Sequence, residues 1–273
     1  MNRMHLTMQL EMNSMDVELL VPYYSVQVKN AGLSEQQFYG QKFKCLWLLH
    51  GLGGVAGDWL RNTMAEVFAE EKQIFVICPE GRCGYYTDCP EGEEWETRIT
   101  ETVWKYLHTI FPMMSDRPED NMVAGNSMGG YGAARFALAH PDKFGFAACL
   151  SGGLNVPQRY AEGESINGRL NQAFGKREDV VGSDYDLYVL AKRLAENSKV
   201  LPRFYISCGT LDWEYDPNSE FCNYMKALGY QVKWDEGEFG HEWRFWNAQI
   251  EKALNEFISK NLVSSRAERG EMK

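Results

Sequence analysis

Short blocks of consecutive apolar residues alternate along this chain with longer stretches whose apolar residues recur every three or four positions. Cys45-Leu46-Trp47-Leu48-Leu49 and Ile74-Phe75-Val76-Ile77-Cys78 have strand length and no polar face, as strands buried on both sides require. Met122 to Ala124, Phe146 to Leu150, Phe204 to Cys208 and Val232 to Trp234 continue the series. Between them, Trp95, Ile99, Val103, Leu107 and Ile110 fall on one face of a helix. Strands alternating with helices predict an α/β fold, a mostly parallel central sheet with helices on both faces. Leu6 to Val28 reads instead as antiparallel strands at one sheet edge. Leu154 to Lys199 is polar and aromatic and too long for a plain crossover, which predicts a small cap insertion (154–199) over the strand ends. With no repeat and no linker, residues 1–263 read as one domain, and the charged 264–273 segment as a flexible tail.

Composition narrows the class. A chain of 273 residues suits one α/β domain with insertions and buries enough surface to fold without disulfides or metals. At 44% hydrophobic and 24% charged residues, it is a soluble globular protein. A formal net charge of -10 with no Lys/Arg cluster argues against nucleic acid and anionic membranes as partners. The seven cysteines are odd in number and unclustered, which implies reduced thiols and a cytoplasmic setting. Cys83 and Cys89 could close a loop disulfide, which that pattern disfavours, and no pair has zinc-knuckle spacing. Met1 to Leu20 carries Glu11, Asp16 and Glu18 and lacks the apolar core of a signal peptide. No stretch reaches the ~20 apolar residues of a membrane span.

The chemistry concentrates in three places. Gly125-Asn126-Ser127-Met128-Gly129-Gly130 follows a strand and precedes a helical run, the strand–turn–helix context of the G-x-S-x-G nucleophile elbow in an α/β-hydrolase fold. That fold orders its triad as serine, acid, histidine. Asp212 lies just past the strand Phe204 to Cys208, and His241 follows the strand that begins at Gln231. Asp216 is the competing acid, with helix capping as its alternative role. His140 precedes Pro141 at a helix end, and His5 and His108 read as structural or exposed. Serine is a weak nucleophile at neutral pH, so Ser127 needs His241 to take its proton, and Asp212 would hold the imidazole in the right tautomer. His50-Gly51-Leu52-Gly53-Gly54 follows the strand Cys45 to Leu49, where backbone amides can approach a substrate oxygen. The Leu52 and Met128 N–H groups are the expected oxyanion hole, with Gly51 or Gly53 as substitutes for Leu52, and His50 is an anchor of the loop. No Lys-Ser or Lys-Thr follows, which excludes a phosphate loop.

These motifs, with Asp58-Trp59, Gly84-Tyr85-Tyr86-Thr87-Asp88, Cys208-Gly209-Thr210-Leu211-Asp212 and Gly240-His241-Glu242-Trp243, make nearly the whole chain resemble one esterase family. That family includes esterase D (S-formylglutathione hydrolase), carbohydrate esterase family 1 feruloyl and acetylxylan esterases, and mycolyltransferases. Within it, the chain looks most like small bacterial acetylesterases, also called tributyrin esterases. The resemblance implies a cofactor-free serine carboxylesterase acting on short acyl esters (acetyl to butyryl), with Ser127, Asp212 and His241 as the triad. Acylated plant oligosaccharides and S-formylglutathione are the alternative substrates. Asn126 departs from the leucine or small residue that relatives carry there. Tyr86 and Trp243 are candidate substrate contacts against a stronger expectation of core packing, and Trp59 reads as core. The polar residues Arg159, Glu162, Glu164, Asn167, Arg169, Asn171 and Gln172, with Tyr160 and Tyr185, suit a hydroxylated substrate better than a fatty chain. A homo-oligomer is compatible with base rates for soluble enzymes.

Overall fold

In a computed structural model of the chain, which describes residues 1–10, 13–90, 92–161 and 167–268, eight strands form one sheet. They are β1 (Asn2–Leu10), β2 (Asn13–Val21), β3 (Cys45–Leu49), β4 (Phe75–Pro79), β5 (Asn121–Asn126), β6 (Phe146–Leu150), β7 (Arg203–Gly209) and β8 (Val232–Gly237), in the spatial order β1-β2-β4-β3-β5-β6-β7-β8. Six strands run parallel, from β4 through β8, and β2 joins them antiparallel along β4. The order reverses at β3, whose successors lie on opposite sides of it. In sheets of this kind, ligands gather past the C-terminal strand ends at such a switch point.

The helices are α1 (Val26–Asn30), α2 (Glu35–Tyr39), α3 (Asp58–Asn62), α4 (Ala65–Lys72), α5 (Trp95–Thr97), α6 (Trp104–Ile110), α7 (Met128–Ala139), α8 (Val156–Ala161), α9 (Asn167–Phe174), α10 (Arg177–Val180), α11 (Leu187–Asn197), α12 (Tyr215–Ala227) and α13 (Trp243–Glu268). A π-helical stretch, Arg98–Val103, joins α5 to α6, so the predicted Trp95-to-Ile110 stripe is one continuous helical segment. Alternate residues of β3 enter opposite cores. Cys45, Trp47 and Leu49 pack with Ile99, Val103 and Leu107 and with Tyr131 and Phe136 of α7. Leu46 and Leu48 pack with Phe68 of α4 and with Ile250, Leu254 and Phe257 of α13. A strand covered on both faces needs apolar side chains at every position, which is why these blocks carry no polar alternation.

Two boundaries differ from expectation. The edge hairpin is β1–β2, and the chain then turns helical at Val26–Asn30, because the Ser25 side chain caps that turn by accepting the Val28 N–H. Helix α13 continues to Glu268, past the expected start of a tail at Ser264; residues 269–273 lie outside the described residues. All seven cysteines are free, so Cys83 and Cys89 are not paired. Among the described residues, no helix is long and apolar enough to cross a membrane.

The β6–β7 connection carries α8 to α11 and is tied to α7 by a buried charge cluster. Arg135 donates through Nε to Glu96 Oε2 at 2.6 Å and through a second nitrogen to Asp184 O, and His140 Nε2 donates to Glu96 Oε1 at 3.0 Å. Burial pushes the Glu96 carboxyl upward, but the His140 hydrogen bond and the Arg135 charge outweigh it and hold it below the usual carboxylate range.

Candidate active site

Strand β5 delivers Ser127 at its C-terminal end, directly before α7. Ser127 has φ 54° and ψ -118°, a left-handed conformation that an ordinary residue avoids. The turn is so sharp that a Cβ at Gly129 would strike the Leu49 carbonyl oxygen, and one at Gly125 would strike the Gly129 carbonyl. The two glycines of the motif are therefore steric requirements. Ser127 N donates to Leu150 O at 3.0 Å and Gly153 N donates to Ser127 O at 3.1 Å, which locks the elbow to β6.

His241 follows β8, and Asp212 sits on the turn after β7. His241 Nδ1 lies 2.9 Å from Asp212 Oδ2 and 3.1 Å from Oδ1, and a carboxylate can only accept, so Nδ1 carries the hydrogen. Asp212 is 5% exposed and also accepts the Glu214 N–H at 3.0 Å through Oδ1. Asp216 is exposed in the first turn of α12 and touches neither group. The imidazole is gripped from two further sides. Trp213 stacks on one face, with centroids 4.2 Å apart, and Trp246 meets it edge-on at 5.0 Å. Trp246 Nε1 in turn donates to Ser151 Oγ at 3.0 Å, at the end of β6. Nε2 has no hydrogen-bond partner among the described residues. No hydrogen bond joins it to the Ser127 hydroxyl.

The loop after β3 lies against the elbow: a Cβ on Gly51 would stand 3.6 Å from Ser127 Cβ. Its shape is held by a polar clasp. His50 Nδ1 donates to Gly51 O at 2.8 Å, and Gly54 N donates to the same oxygen at 3.0 Å. Because a trans peptide opposes its C=O and N–H, fixing the Gly51 carbonyl also fixes the opposite heading of the Leu52 N–H. His50 Nε2 lies 3.0 Å from Glu80 Oε1, just past β4. Glu80 also accepts the Arg82 N–H at 2.7 Å and the Ala56 N–H at 3.2 Å. Burial works to raise the Glu80 carboxyl, yet the bond and charge of His50 together with these amides hold it below its ordinary value. Neither the Leu52 nor the Met128 N–H has an acceptor among the described residues.

Both candidate substrate contacts make packing interactions, the stronger of the two expectations for them. Tyr86 is fully buried, and its hydroxyl donates to His50 O at 3.0 Å, bracing the Gly51 loop from below. Trp243 packs edge-on against Trp59 at 5.2 Å and Trp246 at 5.0 Å, one ring removed from His241. Trp59 is core, as expected. The Tyr160 and Tyr185 hydroxyls are occupied by the Gly175 and Asp88 carbonyls, at 2.7 and 3.0 Å. Of the polar residues named with them, Arg169, Asn171 and Gln172 are exposed; Glu162, Glu164 and the Asn167 side chain lie outside the described residues. Glu80, Trp213 and Glu214, the ion-pair partner of Arg159, were not singled out from sequence. Glu80 alone left a signal, an acid immediately past a strand end. Burial and then the Asp212 charge push the neighbouring Cys208 thiol up, so it is an inert packing group. A cleft of about 870 Å³ between the 82–95 loop and α9 is lined by none of Ser127, Asp212 or His241.

The family model described as "Putative esterase" matches residues 35–257. An acetyl esterase of Caldicellulosiruptor saccharolyticus is 30% identical over 227 residues, covering 81% of this chain and 85% of that protein. FphF, a fluorophosphonate-binding serine hydrolase of Staphylococcus aureus solved with substrate bound, superposes with TM-score 0.83 at 26% identity, covering 94% of this chain and 98% of the other. An S-formylglutathione hydrolase (FrmB) from the same species gives TM-score 0.80 at 27% identity, with 94% and 99% covered. A serine elbow at the end of β5, an Asp-bound histidine after β8 and a match over most of the chain converge: this protein belongs to that esterase family and is a serine ester hydrolase of the α/β-hydrolase fold.

Proposed function

We propose that Ser127, His241 and Asp212 are the catalytic triad of a carboxylesterase that hydrolyses short-chain acyl esters, acetyl to butyryl. The reading is carried by His241, whose Nδ1 is held by buried Asp212 while Nε2 has no hydrogen-bond partner among the described residues. In this mechanism Nε2 accepts the Ser127 proton as Oγ adds to the ester carbonyl, and the oxyanion takes hydrogen bonds from the Met128 and Leu52 N–H groups. The tetrahedral intermediate expels the alcohol, which receives the proton from Nε2, leaving an acyl-serine. Water then attacks with the same base and releases the acid.

The short-acyl preference is supported by charge close to the nucleophile. The Arg159 guanidinium lies 3.6 Å from where a Gly153 Cβ would stand, pairs with buried Glu214, and so belongs to the wall formed by α8 and the Asp212 loop. A fatty chain laid there would strip water from charged groups, whereas each methylene gains only about 0.8 kcal/mol on burial. The acetyl esterase relative points the same way. In this reading α8 to α11 form a small cap on a single catalytic domain. The test is kcat/KM on p-nitrophenyl esters from acetyl to dodecanoyl, each below its solubility limit. The optimum is expected between acetyl and butyryl with a steep fall by octanoyl, and an optimum at octanoyl or longer rejects it.

A further inference from the structure

Trp213 is a large apolar side chain left 69% exposed between two buried acids, Asp212 and Glu214. Folding gains little from an indole in that position. Its one close ring contact among the described residues is the face of His241, at 4.2 Å between centroids and 29° between planes. The indole N–H has no acceptor among the described residues. Leu211, two residues before it, is 70% exposed, and the Leu211 N–H donates at 3.0 Å to the carbonyl of Phe239, whose side chain is 37% exposed. An exposed indole stacked on an imidazole, on a turn that shows water further apolar side chains, is the kind of surface that marks a ligand contact.

Its place in the reaction identifies the ligand. In the proposed mechanism, on which this inference rests, His241 Nε2 hands its proton to the leaving oxygen. That oxygen must come within about 3 Å of Nε2, so its substituent emerges alongside the imidazole, where the indole lies. Water, the second-step nucleophile, has no substituent to place there. We propose that Trp213 is the specificity-determining residue for the alcohol half of the ester, and that this half is a ring with an apolar face and hydroxyl edges, a sugar or an aryl alcohol. The ring lies against the indole with Leu211 and Phe239 at its rim, and a hydroxyl oxygen accepts the indole N–H. Such a pairing combines stacked apolar area with one polar contact, which is what an indole offers.

The experiment holds the acyl group constant and varies the alcohol. Ethyl acetate, phenyl acetate and an acetylated methyl xyloside are compared for the wild type, Trp213→Ala and Trp213→Phe. Trp213→Ala is expected to lower the ratio of kcat/KM on the two ring acetates to that on ethyl acetate by roughly five- to tenfold, the loss of one well-placed ring contact. Trp213→Phe is expected to restore most of the phenyl acetate ratio and less of the xyloside ratio, because phenylalanine lacks the N–H. Deacylation, read from the steady phase after a p-nitrophenyl acetate burst, passes through an acetyl-enzyme that no longer holds the alcohol. The loss must therefore fall in acylation. Equal losses on all three alcohols with slowed deacylation would overturn the proposal and make Trp213 a support for His241; unchanged ratios would overturn it as well. If the triad itself were misassigned, Ser127→Ala would retain turnover, a result that none of the Trp213 outcomes produces.

Discussion

Replacing Asp212 by asparagine tests the histidine's orientation with almost no change of shape. The consequence follows from one neighbouring bond. Asp212 Oδ1 accepts the Glu214 N–H at 3.0 Å, and only an oxygen can do so. The asparagine carbonyl is held in that place, so its NH2 group occupies the position of Oδ2, 2.9 Å from His241 Nδ1. Turning the amide over would face two donors toward each other in a buried site, at a cost of about 1–3 kcal/mol. The NH2 therefore donates to Nδ1, the imidazole hydrogen moves to Nε2, and Nε2 can no longer take the Ser127 proton. A wrong tautomer of this kind lowers turnover by roughly four orders of magnitude, or about 5 kcal/mol of transition-state stabilisation. The assay is kcat/KM on p-nitrophenyl acetate for Asp212→Asn, with thermal unfolding followed in parallel to show an intact fold. Asp216→Asn, an exposed first-turn change, is the control and should stay within about twofold. A folded Asp212→Asn enzyme that loses less than tenfold would refute the argument, as would a larger loss from Asp216→Asn.

Ser127→Ala should abolish turnover without moving the melting temperature, and a fluorophosphonate should label the wild type at Ser127 alone; peptide mapping that finds the label elsewhere rejects the assignment. Glu80→Gln should loosen the His50 clasp and lower kcat roughly tenfold with little change in KM, less than the ~10²–10³ of removing an oxyanion donor outright; a change confined to KM would mean that the clasp does not govern the Leu52 N–H. Glu96→Gln leaves Arg135 buried without its counter-charge and should cost about 3 kcal/mol at pH 7. Because the folded-state pKa of Glu96 is depressed, its contribution is full above the unfolded value of about 4.3 and is lost as pH falls through the lower folded value. In urea titrations the deficit should therefore shrink between pH 5 and pH 3, and a deficit independent of pH would show that the charge is not its source.

Much of this was legible in the chain because its signals are local. β3 and β6 begin and end where their apolar blocks do, since a strand with both faces covered cannot hide a polar residue. The glycines flanking Ser127 record a steric fact about neighbouring backbone, and a steric fact leaves its mark at fixed spacing. Tertiary structure decided what depends on residues distant in the chain. Asp212 and Asp216 are equally acidic in sequence, yet only the first meets His241, because the β7 and β8 ends bring their turns together. Tyr86 and Trp213 are both aromatics near a strand end; packing against α7 buries the first, whereas the second stays 69% exposed. Glu80 became the clasp of the Gly51 loop because β3 and β4 are adjacent strands whose C-terminal ends share one edge. Sequence pattern tells which side chains must leave water, whereas the partner that each one meets is set by strand order and by the edge where the strands end.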